Sequence, residues 1–159
     1  MKKIEINYKE ISATLNEMIP CNWGKVWLYA EIVDDSSEIT FYFCTLDDEE
    51  LVYGHKIPKK YNLSESIYDD FLISLYDSFE RLKEEYIKND LGVWTTATLQ
   101  LDHTGKFSIE YGYDDIYSLG IDNVQRIAVW EYETFGFLPD DEEDKEVVLN
   151  YIKNKEKKM

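Results

Sequence analysis

The chain has 159 residues and carries 33 Asp and Glu against 17 Lys and Arg, a formal net charge of −16. With 44% apolar and 15% aromatic residues it is rich enough in core-forming side chains to exclude disorder, and its length suits one domain over residues 1–159. The charge counts against direct contact with nucleic acid, since phosphate binding draws on Lys and Arg, and it speaks to steering and solubility rather than to fold.

Residues 5–19 read as a first helix, because Tyr8, Ile11, Leu15 and Met18 recur at helical spacing and Pro20 stops the pattern. Residues 25–33 then alternate, with Val26, Leu28, Ala30 and Ile32 on one face and Trp27, Tyr29 and Glu31 on the other. Asp34-Asp35-Ser36-Ser37 makes a turn, and residues 38–45 alternate again, so the two segments predict a β-hairpin. A shorter strand is expected over 51–57, containing His55 and ended by Pro58.

The longest helix is predicted over 62–88. Asn62 with Glu65 resembles a capping box, and Ile67, Phe71, Leu75, Phe79, Leu82 and Tyr86 form its apolar stripe. Asp69, Asp70, Asp77, Glu80 and Glu84 lie opposite, with Ile73 and Tyr76 placed among them outside the stripe. Residues 94–101 and 106–113 predict a second hairpin across Asp102-His103-Thr104-Gly105. Trp94 is expected with Trp27, Tyr29 and Tyr42 on the sheet face away from the aliphatic one, either under a helix or as an exposed patch. A helix over 122–134 should bury Val124, Ile127 and Ala128, and Gly136 and Pro139 should break the chain. A last helix over 141–157 should bury Val147, Val148, Tyr151 and Ile152. Its acidic start and its basic end, Lys153, Lys155, Lys157 and Lys158, suit the helix dipole. The order of elements implies an α+β fold: an antiparallel, meander-like sheet of about five strands packed against three to four helices.

The charged start Met1-Lys2-Lys3-Ile4-Glu5 is not followed by an apolar run, so no signal peptide is expected. No window reaches membrane-spanning length, and a cytoplasmic location follows as an expectation. Cys21 and Cys44 fit no metal spacing and read as reduced apolar residues. His55 and His103 have no neighbouring nucleophile motif, and no glycine-rich phosphate loop is present. No catalytic residue, metal or cofactor is therefore expected. The pairs Asp47-Asp48, Asp69-Asp70, Asp114-Asp115 and Asp140-Asp141 leave an alternative open: an acidic hydrolase or a divalent-cation-binding enzyme. A general protein-interaction domain is a third reading.

One set of strings follows in order along the chain: Met18-Ile19-Pro20, Trp23 and Lys25-Val26; Ile57-Pro58 with Tyr61-Asn62; Leu75-Tyr76-Asp77 with Phe79; Trp94-Thr95; and Phe135-Gly136 with Leu138-Pro139. Taken together, they resemble the YezG-like immunity proteins. The resemblance implies a non-enzymatic antitoxin. Its implied partner is the nuclease domain of a cognate secreted toxin with an LXG-type delivery region, as for a related staphylococcal protein that blocks such a nuclease. It carries over no interface residues. Charge and off-stripe aromatics instead suggest two candidate contact groups: Asp69, Tyr76, Asp77 and Glu80 on the long helix, and Tyr113, Asp114, Asp115 and Tyr117 after the second hairpin. An acidic surface with aromatic anchors would complement a basic nuclease cleft. Edge strands leave the oligomeric state open.

Overall fold

The computed structural model describes residues 2–34 and 36–157. Asp35 of the expected first turn and Lys158 of the basic C-terminal run lie outside the described residues. The described chain is α+β and falls into two compact units that divide after Asp114.

The first unit opens with α1, Lys2–Met18, which buries Ile4, Asn7, Ile11, Leu15 and Met18 at helical spacing. Strands β1 (Trp23–Ile32), β2 (Ser37–Thr45) and β3 (Leu51–Tyr53) follow, then the short helix α2 (Ile57–Lys60) and the long helix α3 (Glu65–Lys88). Strands β4 (Thr96–Asp102) and β5 (Phe107–Gly112) complete an antiparallel sheet of order β3-β2-β1-β4-β5. Successive strands pair as hairpins, except that the α2–α3 connection carries the chain from the β3 edge to place β4 beside β1. Val26, Leu28 and Ala30 stand on one face, opposite Phe43, Phe41 and Ile39 of β2 and opposite Leu101, Leu99 and Ala97 of β4. All of these are buried in one cluster with the inner residues of α1 and α3, so both helices cover the same apolar face.

The segment after β3 departs from the sequence expectation. The strand stops at Tyr53, and residues Gly54–Lys56, including His55, form a 3-10 turn. Pro58 stands in the first turn of α2 instead of ending a strand, a position that needs no backbone N–H donor. The turn brings the Gly54 backbone against Phe41. A Cβ at Gly54 would lie 2.5 Å from Phe41 Cζ. Gly54→Ala is expected to cost about 1–3 kcal/mol through overpacking, read as a lower urea midpoint. Phe41→Leu in the same chain should recover part of the loss. An unchanged midpoint for Gly54→Ala would contradict this packing.

The expected Asn62–Glu65 capping box does not form. Asn62 takes left-handed backbone (φ 53°) just past α2, Leu63 N donates to Pro58 O at 3.0 Å, and Ser64 precedes α3 without a side-chain cap bond. Asn62 thus closes one helix rather than opening the next. On α3 the buried residues are Tyr68, Leu75, Ser78, Phe79 and Leu82. Phe71 and Tyr86 are half-buried against the core, while Ile67 is exposed. Trp94 also moves. It precedes β4 and is fully buried in the cluster between sheet and helices, not on the opposite sheet face.

In the second unit, α4 (Asn123–Phe135) opens with a complete capping box between Asp122 and Gln125 and ends on Gly136 in left-handed backbone, φ 80°. Helix α5 spans Glu142–Lys157. Ala128, Val129 and Val148 form this unit's core, with Ile121, Tyr132, Leu138, Tyr151 and Ile152 packed around them. Gln125 Nε2 donates to Asp144 Oδ1 at 3.1 Å, joining the start of α4 to that of α5. Val124, expected inside, is exposed, and Val147 is half-buried. The true inner face of α4 carries Val129 one residue beyond the pair Ile127-Ala128.

Candidate interaction surface

Helix α3 spans 24 residues, and only one side of it is needed for the core. The outer side carries Asp69, Asp70, Asp77, Glu80 and Glu84, all exposed, around Ile73, which is 57% exposed. The helix's own cations do not neutralise them. Arg81 pairs with Glu10 at 3.1 Å, Lys88 pairs with Glu85 at 3.7 Å, and Lys83 Nζ donates to Ile32 O at 2.5 Å. Among the described residues none of the five outer carboxylates forms an ion pair. Glu80 and Glu84 are a like-charge i,i+4 pair, an arrangement that costs an isolated helix about 0.2–0.5 kcal/mol.

Tyr76 does not join this face. Its ring is half-buried against the core and its hydroxyl accepts from Ile39 N at 3.1 Å. Burial raises its phenol pKa. The reason lies in β2. Strand β3 pairs only with residues 42–44 of that strand, which leaves the buried Ile39 without a strand partner on that side. Side chains fill the gap: Tyr76 takes the Ile39 N–H, and His55 Nε2 lies 3.0 Å from Ile39 O. A carbonyl can only accept, so Nε2 carries a proton, and in the neutral ring the other nitrogen then accepts from Tyr68 OH at 2.7 Å. Sequence reading missed this bracket. The available signal was a lone His just before Pro58, with Tyr68 and Tyr76 about two helical turns apart on the next long helix.

The second candidate group falls on both sides of the division between units. In the first unit, Tyr113 is 54% exposed and Asp114 is exposed, with Asp114 O accepting from Thr95 Oγ1 at 2.7 Å. In the second unit, the Asp115 carboxylate accepts from Tyr117 N at 3.1 Å and so caps a 3-10 turn, and the Tyr117 side chain is exposed. Asp115 is therefore already engaged in holding its own turn.

The other sequence-marked groups take local structural roles. Asp141 Oδ2 accepts from Asp144 N at 3.0 Å at the start of α5. Asp102, in the β4–β5 turn, accepts from Thr104 N, Thr104 Oγ1 and Lys106 N at 2.9, 2.6 and 3.0 Å. These bonds, that from the Thr104 hydroxyl foremost, hold its carboxyl below the usual carboxylate range. Asp47 and Asp48 are exposed in the β2–β3 turn. Cys21 and Cys44 are free thiols, and Cys21 Sγ accepts from Tyr61 OH at 3.6 Å. Among the described residues no three His, Cys, Asp or Glu side chains are grouped to hold a metal ion, and no helix is long and apolar enough to cross a membrane.

A family profile described as "Immunity protein YezG-like" matches residues 4–149. The chain belongs to this family. It is 48% identical to the immunity protein YezG of Bacillus spizizenii over 152 residues, covering 96% of this chain and 94% of the relative. It is 43% identical to the immunity protein YezG of Bacillus subtilis over 145 residues, 91% and 96% of the two chains. The type VII secretion system protein EsaG of Staphylococcus aureus is 32% identical over 141 residues, 89% of this chain and 86% of that protein. The strings that carry the YezG-like resemblance map mainly onto the interior: Met18, Ile19, Ile57, Leu75, Phe79 and Trp94 are all buried. They specify the fold, and Asp77 is the one exposed acid among them.

Proposed function

We propose that this YezG-like protein is a non-enzymatic antitoxin that acts in the cytoplasm and neutralises the nuclease domain of a cognate secreted LXG-type toxin. Two relatives are named as immunity proteins and a third as a type VII secretion system protein, which supports a role beside an exported toxin. The family match runs through both units, supporting their action as a single immunity domain.

The observation that carries the reading is the outer face of α3. Asp69, Asp77 and Glu80 stand there exposed and, among the described residues, without ion pairs, and Glu80 forms a like-charge pair with Glu84 at some cost to the helix. A basic nuclease cleft would relieve that repulsion, and the net charge of −16 would speed encounter. Tyr113 and Asp114 of the first unit and, separately, Asp115 and Tyr117 of the second remain proposed contact residues, while Tyr76 contributes by holding α3 to β2. The wild-type protein should form a stoichiometric complex with the nuclease domain encoded beside it and silence cleavage. Asp77→Lys with Glu80→Lys should slow association about tenfold or more at low salt, with the difference shrinking as salt is raised. Equal association rates for wild type and double variant, measured by stopped flow, would rule out this face.

A further inference from the structure

The end of α3 carries a feature that charge alone does not explain. Ile87, Leu91 and Val93 are 49%, 41% and 57% exposed, and Tyr113, whose ring reaches Gly92 between the last two, is 54% exposed. The turn that presents them is tightly built. Asp90 N donates to Ile87 O at 3.1 Å and Leu91 N to Tyr86 O at 2.9 Å, with Asp90 and Gly92 both in left-handed backbone at φ 56° and 113°. The Tyr113 ring rests on Gly92: a Cβ there would lie 2.9 Å from Tyr113 Cε2. Glycine at this position thus serves both the backbone and the seating of the ring. The turn fixes the backbone that carries Ile87, Leu91 and Val93, and Gly92 seats the Tyr113 ring, so a partner would meet these exposed apolar groups at a reduced cost in ordering.

Alongside runs a groove of about 270 Å³ whose walls include Ile32, Val33, Glu80, Lys83, Glu84 and Ile87. Lys83 is tied down inside it, with Nζ on Ile32 O at 2.5 Å and 5.8 Å from the centre of the Trp94 ring. Burial lowers the pKa of this amine, partly offset by Asp34. Glu80 and Glu84 keep the rim acidic. An apolar centre with a charged rim is the arrangement of an interface anchor.

We propose that Ile87, Leu91, Val93 and Tyr113 form the apolar anchor for a basic protein surface, which places an apolar side chain on them and a Lys or Arg beside Glu80 and Glu84. Charge complementarity selects this occupant. A second copy of the chain would set acidic rim against acidic rim, with −16 on each molecule. The inference rests on the antitoxin reading for the partner's identity, and it extends the contact from the acidic face of α3 to that helix's C-terminal end, with Glu80 and Glu84 shared between the two. It assigns lifetime to the apolar tip and encounter rate to the acidic face.

The test is surface plasmon resonance with the purified nuclease domain of the toxin encoded beside the chain. It compares wild type, Val93→Ser, and Ile87→Ala with Val93→Ser. Each variant is first checked for an unchanged melting temperature, and the exposed Val93→Ser alone serves if the double variant fails that check. The expected result is a rise in Kd of about tenfold or more for the double variant, carried by faster dissociation with association unchanged. If wild type binds and the folded variants dissociate equally slowly, the anchor is wrong and the antitoxin reading stands. If wild type does not bind the nuclease domain at all, the antitoxin reading falls and takes the anchor with it. A wild-type dimer in sedimentation that the variants abolish would make a second copy the occupant and overturn the proposal.

Discussion

Phe79→Ala is expected to remove about 3–5 kcal/mol of stability, the loss that follows when a fully buried aromatic is cut back and its neighbours cannot close the space. Phe79 faces the sheet from the middle of α3 and is 0% exposed, in one cluster with Leu15 and Met18 of α1 and Leu28 and Phe41 of the sheet. Domains of this size have about 5–15 kcal/mol in total, so the variant should unfold at a much lower urea concentration. In the proposed antitoxin role it should also protect less, because too little folded protein remains. Ile73→Ala on the same helix, at an exposed position, should stay within about 0.5 kcal/mol of wild type. Equal midpoints for the two variants would mean that α3 does not pack as described.

Alkaline pH should unfold this protein through its tyrosines. Tyr8 of α1 lies 2.8 Å from Tyr111 OH of β5 and 3.3 Å from Tyr86 OH of α3, so one hydroxyl cluster joins three elements. Burial, foremost, pushes the Tyr8 phenol up to about 12 and raises Tyr111 as well. Tyr68 and Tyr76 are raised for the same reason. A phenol whose folded value lies above its unfolded value of about 10 favours the fold while it stays neutral. That contribution is whole below pH 10 and is lost as pH climbs from 10 toward 12, because the unfolded chain sheds its protons first. Unfolding midpoints measured at intervals from pH 8 to 12 should be flat and then fall steeply, with phenolate absorbance rising in step with loss of the fold. Complete ionisation near pH 10 with the fold intact would contradict the buried hydroxyl cluster. Tyr8→Phe together with Tyr111→Phe should flatten the alkaline limb.

Both results depend on packing that the sequence only partly announces. Helices α1, α3, α4 and α5 and both hairpins follow from apolar spacing, because a helix or strand that covers a core must place its apolar residues at its own period. Errors gathered where a local signal had two meanings. Pro58 can end a strand or start a helix, and it starts α2. Asn62 can cap the next helix or close the previous one, and its left-handed backbone does the latter. Alternation puts Trp94 on the far sheet face only if its strand starts there; the strand begins at Thr96, and Trp94 turns into the core.

The sequence by itself determined the acidic character, the α+β class, the family and the exposure of Asp69, Asp77 and Glu80, since charge and periodicity are properties of the chain read in one dimension. Only the tertiary structure decided that Tyr76 serves the backbone of Ile39. It alone showed that His55 completes the same bracket, and that Ile87, Leu91, Val93 and Tyr113 stand in water beside an acidic groove. The reason is physical. Whether an apolar or aromatic side chain is buried depends on what covers it, and a polar atom's partner depends on which strand stops short. Both are set by elements distant in sequence that meet only when the chain has folded.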